Sequence, residues 1–317
     1  MNPTNPSVGI VGAGLIGRSW AHVFARAGCA VRVWDPVAAQ REAAGALIAA
    51  SLHELQAHGL VDDAAAASQR VQVVETLDDA VRSADYVQES GPETLEAKRS
   101  TFAALDAAAP PHCVLASSTS AIVASKFTEA LAGRARCIVA HPVNPPHLVS
   151  VVELCGAPWT SAQTKERARA VMRSAGQVPI DVKREIDGFV LNRLQAALLT
   201  EAFRLVQDGV VSPQDLDHTI ADGLGLRWAF MGPFETIELN APGGTADYCA
   251  RYVPWFRRYV ADLPRPAVWD DAQWQRVADA WGPTPQADGV ARKSRWRDDR
   301  LAALVAHKRR RKPWQNP

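Results

Sequence analysis

The chain has 317 residues, 47% of them hydrophobic, and a formal net charge of +1 at pH 7. This length favours two domains, and the hydrophobic content is enough for a sizeable core. The balanced charge gives no field across the whole protein that would favour nucleic acid or an anionic membrane as a partner. We find no signal-peptide pattern and no apolar run long enough to span a bilayer, so we expect a cytoplasmic protein.

The cysteines predict neither a metal site nor a disulfide framework. The five of them, at positions 29, 113, 137, 155 and 249, are scattered along the chain, and no two have Cys-x-x-Cys spacing. Each has an alanine or a larger aliphatic residue next to it, which favours buried free thiols. The basic stretch 308–312 is typical of a solvated helix end rather than of a binding site.

A glycine-rich loop follows the first predicted strand. Residues 8–11 form a short apolar run typical of a buried strand, and Gly12-Ala-Gly-Leu-Ile-Gly17 comes directly after it. A helical segment over 18–27 and a second apolar strand over 30–34 follow. Glycines alone would be weak evidence, but a Gly-x-Gly-x-x-Gly loop between a strand and a helix is the fingerprint of dinucleotide binding.

Each residue of this fingerprint has its own expected task. Gly12 permits the tight turn, Gly14 lets the backbone approach the pyrophosphate, and Gly17 allows the helix and the strand to pack closely. Asp35, at the end of the second strand, would accept hydrogen bonds from the ribose hydroxyls and repel a 2′-phosphate. No arginine follows it immediately, so the sequence favours NAD over NADP. The alternative is that Asp35 is an ordinary turn residue.

Strands and helices continue to alternate through the first half of the chain. Further strands are predicted at 71–74, 85–89, 113–116 and 137–140, and helices at 78–81, 92–108 and 122–131. This order predicts an α/β fold with a Rossmann-type, doubly wound and mostly parallel sheet. Ligands bind at the carboxyl ends of such strands, where three polar features lie: Glu89 to Glu93, Ser117-Ser-Thr-Ser120 and His141. Ser118 and Ser120 have the alternative of capping the next helix.

A histidine and a carboxylate are placed to form a general-base pair. His141 ends one apolar strand, and Glu153 follows twelve residues later inside the apolar run 148–154. An imidazole can accept a hydroxyl proton at neutral pH, and an unpaired carboxylate is costly to bury, so we expect the two side chains to pair. The proline-rich turn between them is rigid enough to bring them together. No Tyr-x-x-x-Lys pattern supports the tyrosine-based route of alcohol oxidation.

The second half of the chain is predicted to be helical. After Asp187-Gly188 a long amphipathic helix runs from Phe189 to Leu205. Ser212 is placed as the N-cap of the next helix, with Pro213 in its first turn. We expect irregular connections from 254 to 285 and a last helix at 296–306.

This change of pattern divides the chain into an NAD-binding domain, 1–186, and an all-helical C-terminal domain for substrate binding and dimerisation, 187–317. Seven of the ten tryptophans lie after residue 220. Their concentration predicts extensive aromatic burial, including a homodimer interface.

Five segments carry a family resemblance. They are Gly14-Leu-Ile-Gly-Arg-Ser-Trp20, Cys137-Ile-Val-Ala-His-Pro-Val-Asn-Pro-Pro146, Gly188-Phe-Val-Leu-Asn-Arg-Leu-Gln195, Val211-Ser-Pro-Gln-Asp-Leu-Asp217 and Gly223-Leu-Gly-Leu-Arg-Trp-Ala-Phe-Met-Gly-Pro-Phe-Glu-Thr236. Together they resemble the 3-hydroxyacyl-CoA dehydrogenase family, and within it the lambda-crystallin type, whose enzymatic members are L-gulonate 3-dehydrogenases. The likeness covers most of the chain and weakens around residues 60–75 and after about residue 260.

The resemblance implies roles at individual positions. The implied contacts with NAD come from Leu15, Ile16 and Asp35, from Glu93 and Lys98 at its nicotinamide half, and from Asn144 close to the active site. The implied catalytic set is Ser120, His141, Glu153 and Asn192. In that set Ser120 and Asn192 position the substrate, and the other two form the base dyad. From the residues alone, Asn192 has the alternative of being a core asparagine.

The distribution of cations bears on the substrate. Acyl-CoA esters carry several phosphates, whose recognition usually requires lysine or arginine. The first lysine is Lys98, and Arg70 is the only lysine or arginine between Leu47 and Val74, a segment that is basic in CoA-using relatives. We therefore expect a small 3-hydroxy acid, in the first place L-gulonate. Arg227 is a candidate partner for its carboxylate or a support of the interdomain hinge.

Two alternatives stay open. One is the same chemistry on another substrate, either an L-3-hydroxyacyl-CoA or L-carnitine. The other is a crystallin-like structural or NAD-binding protein without catalysis.

Overall fold

The computed structural model describes residues 5–261, 266–281 and 287–310, which form two compact units. Of the described residues, those in 5–190 and 289–310 form the first unit, and those between 191 and 288 form the second. This division differs from the expected boundary after residue 186, chiefly because the last helix belongs to the first unit. The assignment of one segment to cofactor binding and of the other to substrate binding stays a prediction.

An eight-stranded sheet is the frame of the first unit. Its strands are β1 (Ser7–Val11), β2 (Ala30–Trp34), β3 (Val71–Val73), β4 (Tyr86–Glu89), β5 (Val114–Ser117), β6 (Cys137–Pro142), β7 (Val151–Gly156) and β8 (Val178–Val182). They lie in the order β3-β2-β1-β4-β5-β6-β7-β8, and every neighbouring pair is parallel except β6 and β7. The expected doubly wound, mostly parallel sheet is confirmed.

Helices pack on both faces of this sheet. They are α1 (Leu15–Arg26), α2 (Ala38–Ala57), α3 (Ala64–Gln69), α4 (Leu77–Val81), α5 (Leu95–Ala108), α6 (Ser125–Thr128) and α7 (Ala162–Ser174). Successive strand residues point to opposite faces. Val8 and Ile10 of β1 therefore lie in one apolar cluster with α1, α2, α3 and α7, whereas Val11 lies in a second cluster with α4, α5 and α6.

The described residues of the second unit form helices and connecting turns, with no strand among them. Its helices are α8 (Leu191–Gln207), α9 (Pro213–His218), α10 (Gly225–Trp228), α11 (Pro233–Glu238), α12 (Gly244–Val260) and α13 (Asp271–Trp281). The hydroxyl of Ser212 accepts a hydrogen bond from the backbone N–H of Asp215 at 3.1 Å, and Pro213 begins α9, so the predicted N-cap is confirmed. The chain then returns to the first unit in α14 (Ala287–Arg310).

The expected irregular stretch from 254 to 285 is largely wrong. Pro254 lies inside α12, α13 follows, and α14 begins at residue 287 instead of 296, while 262–265 and 282–286 lie outside the described residues. Aromatic contacts one turn apart support α12 despite its proline, since the rings of Tyr248 and Tyr252 are 4.6 Å apart. The number of prolines therefore did not predict the secondary structure of this segment.

The expected burial of the late tryptophans is also wrong for the five whose side chains the structure describes, while Trp281 and Trp314 lie outside the described side chains. Those at positions 228, 255, 269, 274 and 296 are all exposed. The prediction of buried free thiols is confirmed for Cys29, Cys113, Cys137 and Cys155, whereas Cys249 is free but exposed. Among the helices the structure describes, none is long and apolar enough to span a membrane.

Candidate active site

The glycine loop between β1 and α1 has the geometry of a dinucleotide cradle. Gly12 has a φ of +106°, a left-handed conformation that favours glycine, and a Cβ there would lie 2.6 Å from the Ser90 carbonyl oxygen. A Cβ on Gly17 would overlap the Gly12 carbonyl oxygen. At Gly14, in contrast, a Cβ would meet no atom within 4 Å, so the backbone is open to an approaching ligand.

The start of α1 adds positive potential to this loop. Leu15 is exposed and Ile16 is half-buried in the first turn, which carries no acidic residue. The free backbone N–H groups of a helix N-terminus attract phosphate. Arg18 was not predicted as a site residue, but its Nη1 donates to the Ala13 carbonyl oxygen at 2.6 Å. A cation at the positive end of a helix is a sequence signal that would have identified it.

Asp35 is held against the loop from the end of β2. Its Oδ2 accepts a hydrogen bond from the Ala13 N–H at 2.7 Å, and its Oδ1 accepts one from the Val37 N–H at 2.8 Å. The carboxylate is thus fixed beside the glycine loop, where a bound dinucleotide would place its adenosine ribose. This geometry and the open backbone at Gly14 fit NAD.

His141 and Glu153 face each other across the only antiparallel pair of the described sheet. The β6–β7 register places them opposite one another, and His141 Nδ1 lies 2.8 Å from Glu153 Oε2. Their side chains are 6% and 2% exposed. A neutral imidazole that donates from Nδ1 keeps its lone pair on Nε2, which is then the proton acceptor.

The turn before α8 supports this pair. Glu153 Oε1 accepts a hydrogen bond from the Val190 N–H at 2.8 Å. Phe189 is fully buried with its ring 5.5 Å from the His141 ring, and its φ of +48° is left-handed. Such a conformation costs about 1–2 kcal/mol in a non-glycine residue. Sequence reasoning missed Phe189 because no local pattern predicts a strained turn.

Glu93 and Ser120 meet where β4 and β5 end. Glu93 is exposed, and its Oε1 accepts hydrogen bonds from the Thr119 hydroxyl and, at 3.1 and 3.2 Å, from the N–H groups of Ser120 and Ala121. The loop that carries Ser120 is therefore held by the loop after β4. Neither Ser118 nor Ser120 caps α6, whose N-cap is Ala124, so the capping alternative is wrong.

Lys98 is buried in an ion pair that the sequence did not predict. Its Nζ donates to both carboxylate oxygens of Glu89, at 2.8 and 2.9 Å, and lies 3.3 Å from the Gly91 carbonyl oxygen. Ser117 and the Gly91 N–H donate to the same carboxylate at 2.6 Å each. This network fixes the loop between β4 and α5. The sequence placed Glu89 among the polar residues at a strand end, but it did not predict that Lys98 is its partner.

Two family descriptions match the chain and together cover most of it. Residues 7–186 match the NAD-binding domain of 3-hydroxyacyl-CoA dehydrogenase, and residues 188–270 match the C-terminal domain of the same enzyme. The chain belongs to the 3-hydroxyacyl-CoA dehydrogenase family. It is an NAD-dependent hydroxy-acid dehydrogenase, as the sequence motifs predicted.

Individual relatives share nearly the full length of this dehydrogenase. Lambda-crystallin from Oryctolagus cuniculus is 41% identical, over 98% of this chain and 99% of its own. An L-carnitine dehydrogenase from Pseudomonas putida is 35% identical, over 94% of this chain and 90% of its own. The solved structure of 5-formyl-3-hydroxy-2-methylpyridine 4-carboxylic acid 5-dehydrogenase, an NAD⁺-dependent dismutase, superposes with a TM-score of 0.79 at 27% identity, covering 96% of this chain and 98% of that one.

Three other residues of the dehydrogenase were predicted to belong to the site. Asn144 is exposed in the loop after β6, before a cis peptide bond to Pro145. Asn192 is half-buried in the first turn of α8, and Arg227 is exposed on α10, both in the second unit. Their roles stay predictions. Across the described ranges, no three histidine, cysteine or carboxylate side chains group as a metal site.

Proposed function

We propose that this enzyme oxidises the 3-hydroxyl of a small hydroxy acid, and that L-gulonate, converted to 3-dehydro-L-gulonate, is its substrate. The observation that carries the chemistry is the buried hydrogen bond between His141 and Glu153. When bound, NAD accepts the hydride from the carbon that bears the hydroxyl.

His141 removes the hydroxyl proton at its Nε2. Glu153 holds the ring in the required tautomer and stabilises the imidazolium that forms, and the Val190 N–H keeps the carboxylate in place. Ser120 and Asn192 position the substrate hydroxyl. The cofactor would be held by Gly12, Gly14, Leu15, Ile16, Gly17 and Asp35, with Glu93 and Asn144 around its nicotinamide half. Lys98, which the resemblance also implies as a contact there, is buried against Glu89, so we propose that it acts by holding the loop after β4.

The choice of a small substrate rests on the segment between α1 and β3. Arg70 is its only lysine or arginine between Leu47 and Val74, and Arg70 Nη1 donates to the Ala25 carbonyl oxygen at 3.3 Å. This cation is therefore engaged in holding α1, and the segment offers little to the phosphates of coenzyme A. Arg227 is the candidate partner of the substrate carboxylate, with support of the interdomain hinge as its alternative.

L-carnitine is the second candidate substrate, favoured by the 35% identity to L-carnitine dehydrogenase. The deciding experiment measures NADH formation with L-gulonate, L-carnitine and 3-hydroxybutyryl-CoA in parallel. We expect turnover of L-gulonate, its loss in His141→Ala, and its retention in His112→Ala, which changes a largely exposed histidine. Turnover of 3-hydroxybutyryl-CoA alone would refute the small-acid proposal. Tight NADH binding without oxidation of any substrate would support a non-catalytic protein.

We also propose that the enzyme is a homodimer formed through its second unit. That unit exposes large apolar side chains, among them Leu226, Phe230, Phe234 and Leu239. Apolar surface of this extent is typical of an interface. Sedimentation should show a dimer that dissociates in Phe234→Lys, where the side chain is 78% exposed. Leu47→Lys, at an exposed leucine of the first unit, should leave the dimer intact, and a monomeric wild type would contradict the proposal.

A further inference from the structure

An arginine lies at the corner where Asp35 meets the adenosine end of the cofactor site. Arg41 is on the first turns of α2, and its Nη1 donates to the Asp35 carbonyl oxygen at 2.9 Å. The rest of its guanidinium faces Glu75, which follows β3. Nε and Nη2 of Arg41 lie 3.2 and 2.9 Å from Glu75 Oε2. The arginine side chain is 17% exposed and that of Glu75 is 80% exposed.

The position of Arg41 is the one in which an arginine would favour NADP. Enzymes that bind NADP place an arginine near the end of the second strand, where it pairs with the 2′-phosphate. Arg41 lies close enough to contact the backbone of Asp35, so distance alone does not prevent such a role. The orientation of its side chain prevents that role, because the Asp35 carbonyl and the Glu75 carboxylate accept hydrogen bonds from three nitrogens of Arg41.

The other arginines around Glu75 are engaged as well. Glu75 lines a cavity together with Arg32, Asp79 and Arg82; Arg32 Nη1 donates to the Ser83 hydroxyl at 2.5 Å, and Arg82 pairs with Asp79 at 3.2 Å. A 2′-phosphate would therefore meet an Arg41 that is already bound to a carboxylate. The two ribose hydroxyls of NAD need only acceptors, which Asp35 supplies.

We propose that Glu75 is a specificity-determining residue, which selects NAD over NADP by holding Arg41 in an ion pair. Asp35 accepts hydrogen bonds from the ribose hydroxyls. Glu75 holds the side chain of Arg41, so that this arginine does not neutralise the charge of a 2′-phosphate. This role concerns the adenosine end of the cofactor and is independent of which hydroxy acid the enzyme oxidises.

The test is a fluorescence titration of the full-length protein with NADH and with NADPH, which needs no substrate. In Glu75→Gln, the freed arginine should raise the affinity for NADPH relative to NADH by roughly fivefold. The double variant Glu75→Gln/Arg41→Gln should lose that gain. Asp79→Asn is the matched control, because Asp79 is a nearby carboxylate that pairs with Arg82 at 3.2 Å.

Two results would overturn the proposal. The first is an unchanged ratio of the two affinities in Glu75→Gln, with the fold retained by circular dichroism. The second is a gain of the same size in Asp79→Asn or in the double variant, since that gain would reflect the general loss of negative charge. A gain confined to Glu75→Gln would support the proposed role.

Discussion

Acidic pH should destabilise the first unit, because one of its buried histidines is in the neutral form. His22 lies on α1 and is almost fully buried, with its ring 5.2 Å from that of His147. Burial, and then the charges of His147 and Arg26, lower the pKa of His22 to about 3. Burial also lowers the pKa of His147 to about 4.

The sign and the size of the effect follow from these values. In the unfolded chain His22 takes up a proton near its ordinary pKa of about 6.5, whereas in the folded chain it stays neutral down to about 3. The stability present above pH 6.5 is therefore lost progressively as the pH falls from about 6.5 towards 3. At pH 5 the loss from His22 alone is about 2 kcal/mol, at roughly 1.4 kcal/mol for each pH unit.

The assay compares wild type with His22→Gln, whose side chain is neutral at every pH. Hydrogen exchange of peptides from residues 7–34 in increasing urea reports the free energy of unfolding of the first unit. Between pH 8 and pH 5 the wild type should lose about 2 kcal/mol more than the variant. His53→Gln, at an exposed histidine of α2, should behave as the wild type does. Parallel losses in wild type and His22→Gln would refute the reasoning.

Four further substitutions test the site. Gly17→Ala should destabilise the first unit by about 3 kcal/mol, because its Cβ would overlap the Gly12 carbonyl oxygen. Gly14→Ala should change stability by less than about 1 kcal/mol but weaken NADH binding, since its Cβ enters open space. Calorimetry and NADH fluorescence separate these two effects. Lys98→Met should cost about 3–5 kcal/mol in thermal unfolding by leaving the buried Glu89 carboxylate unpaired. Glu153→Gln should lower kcat at least about a hundredfold while NADH binding is retained.

Each of these outcomes has a clear opposite. Equal Tm values for Gly17→Ala and Gly14→Ala would show that the loop is not tightly packed. A Lys98→Met variant as stable as wild type would mean that Glu89 finds another partner. An unchanged kcat in Glu153→Gln would remove this carboxylate from the proposed mechanism.

The parts of the fold that were predictable depend on neighbours along the chain. The glycine loop, the strand that ends at Asp35 and the N-cap at Ser212 each combine local backbone requirements with apolar periodicity. The contact between His141 and Glu153 was also predictable from the sequence, because two apolar strands joined by a short turn can pair only in the antiparallel direction.

The missed features depend on contacts between distant segments. Tertiary packing determines the pairing of Lys98 with Glu89 and the left-handed conformation of Phe189. Local sequence periodicity does not predict such packing. Pro254 shows the converse error, because a strong local breaker lies within a helix supported by aromatic contacts. The exposed late tryptophans show that composition does not reveal whether a ring packs inside its own chain.

The last helix determines when the first unit can be completed during synthesis. Ala302 and Ala306 of α14 belong to the apolar cluster on one face of the sheet, and Arg309 Nη1 donates to the Leu60 carbonyl oxygen at 3.2 Å. Residues 191–288 are synthesised before this helix, so the nascent first unit exposes part of its core while the second unit is being made.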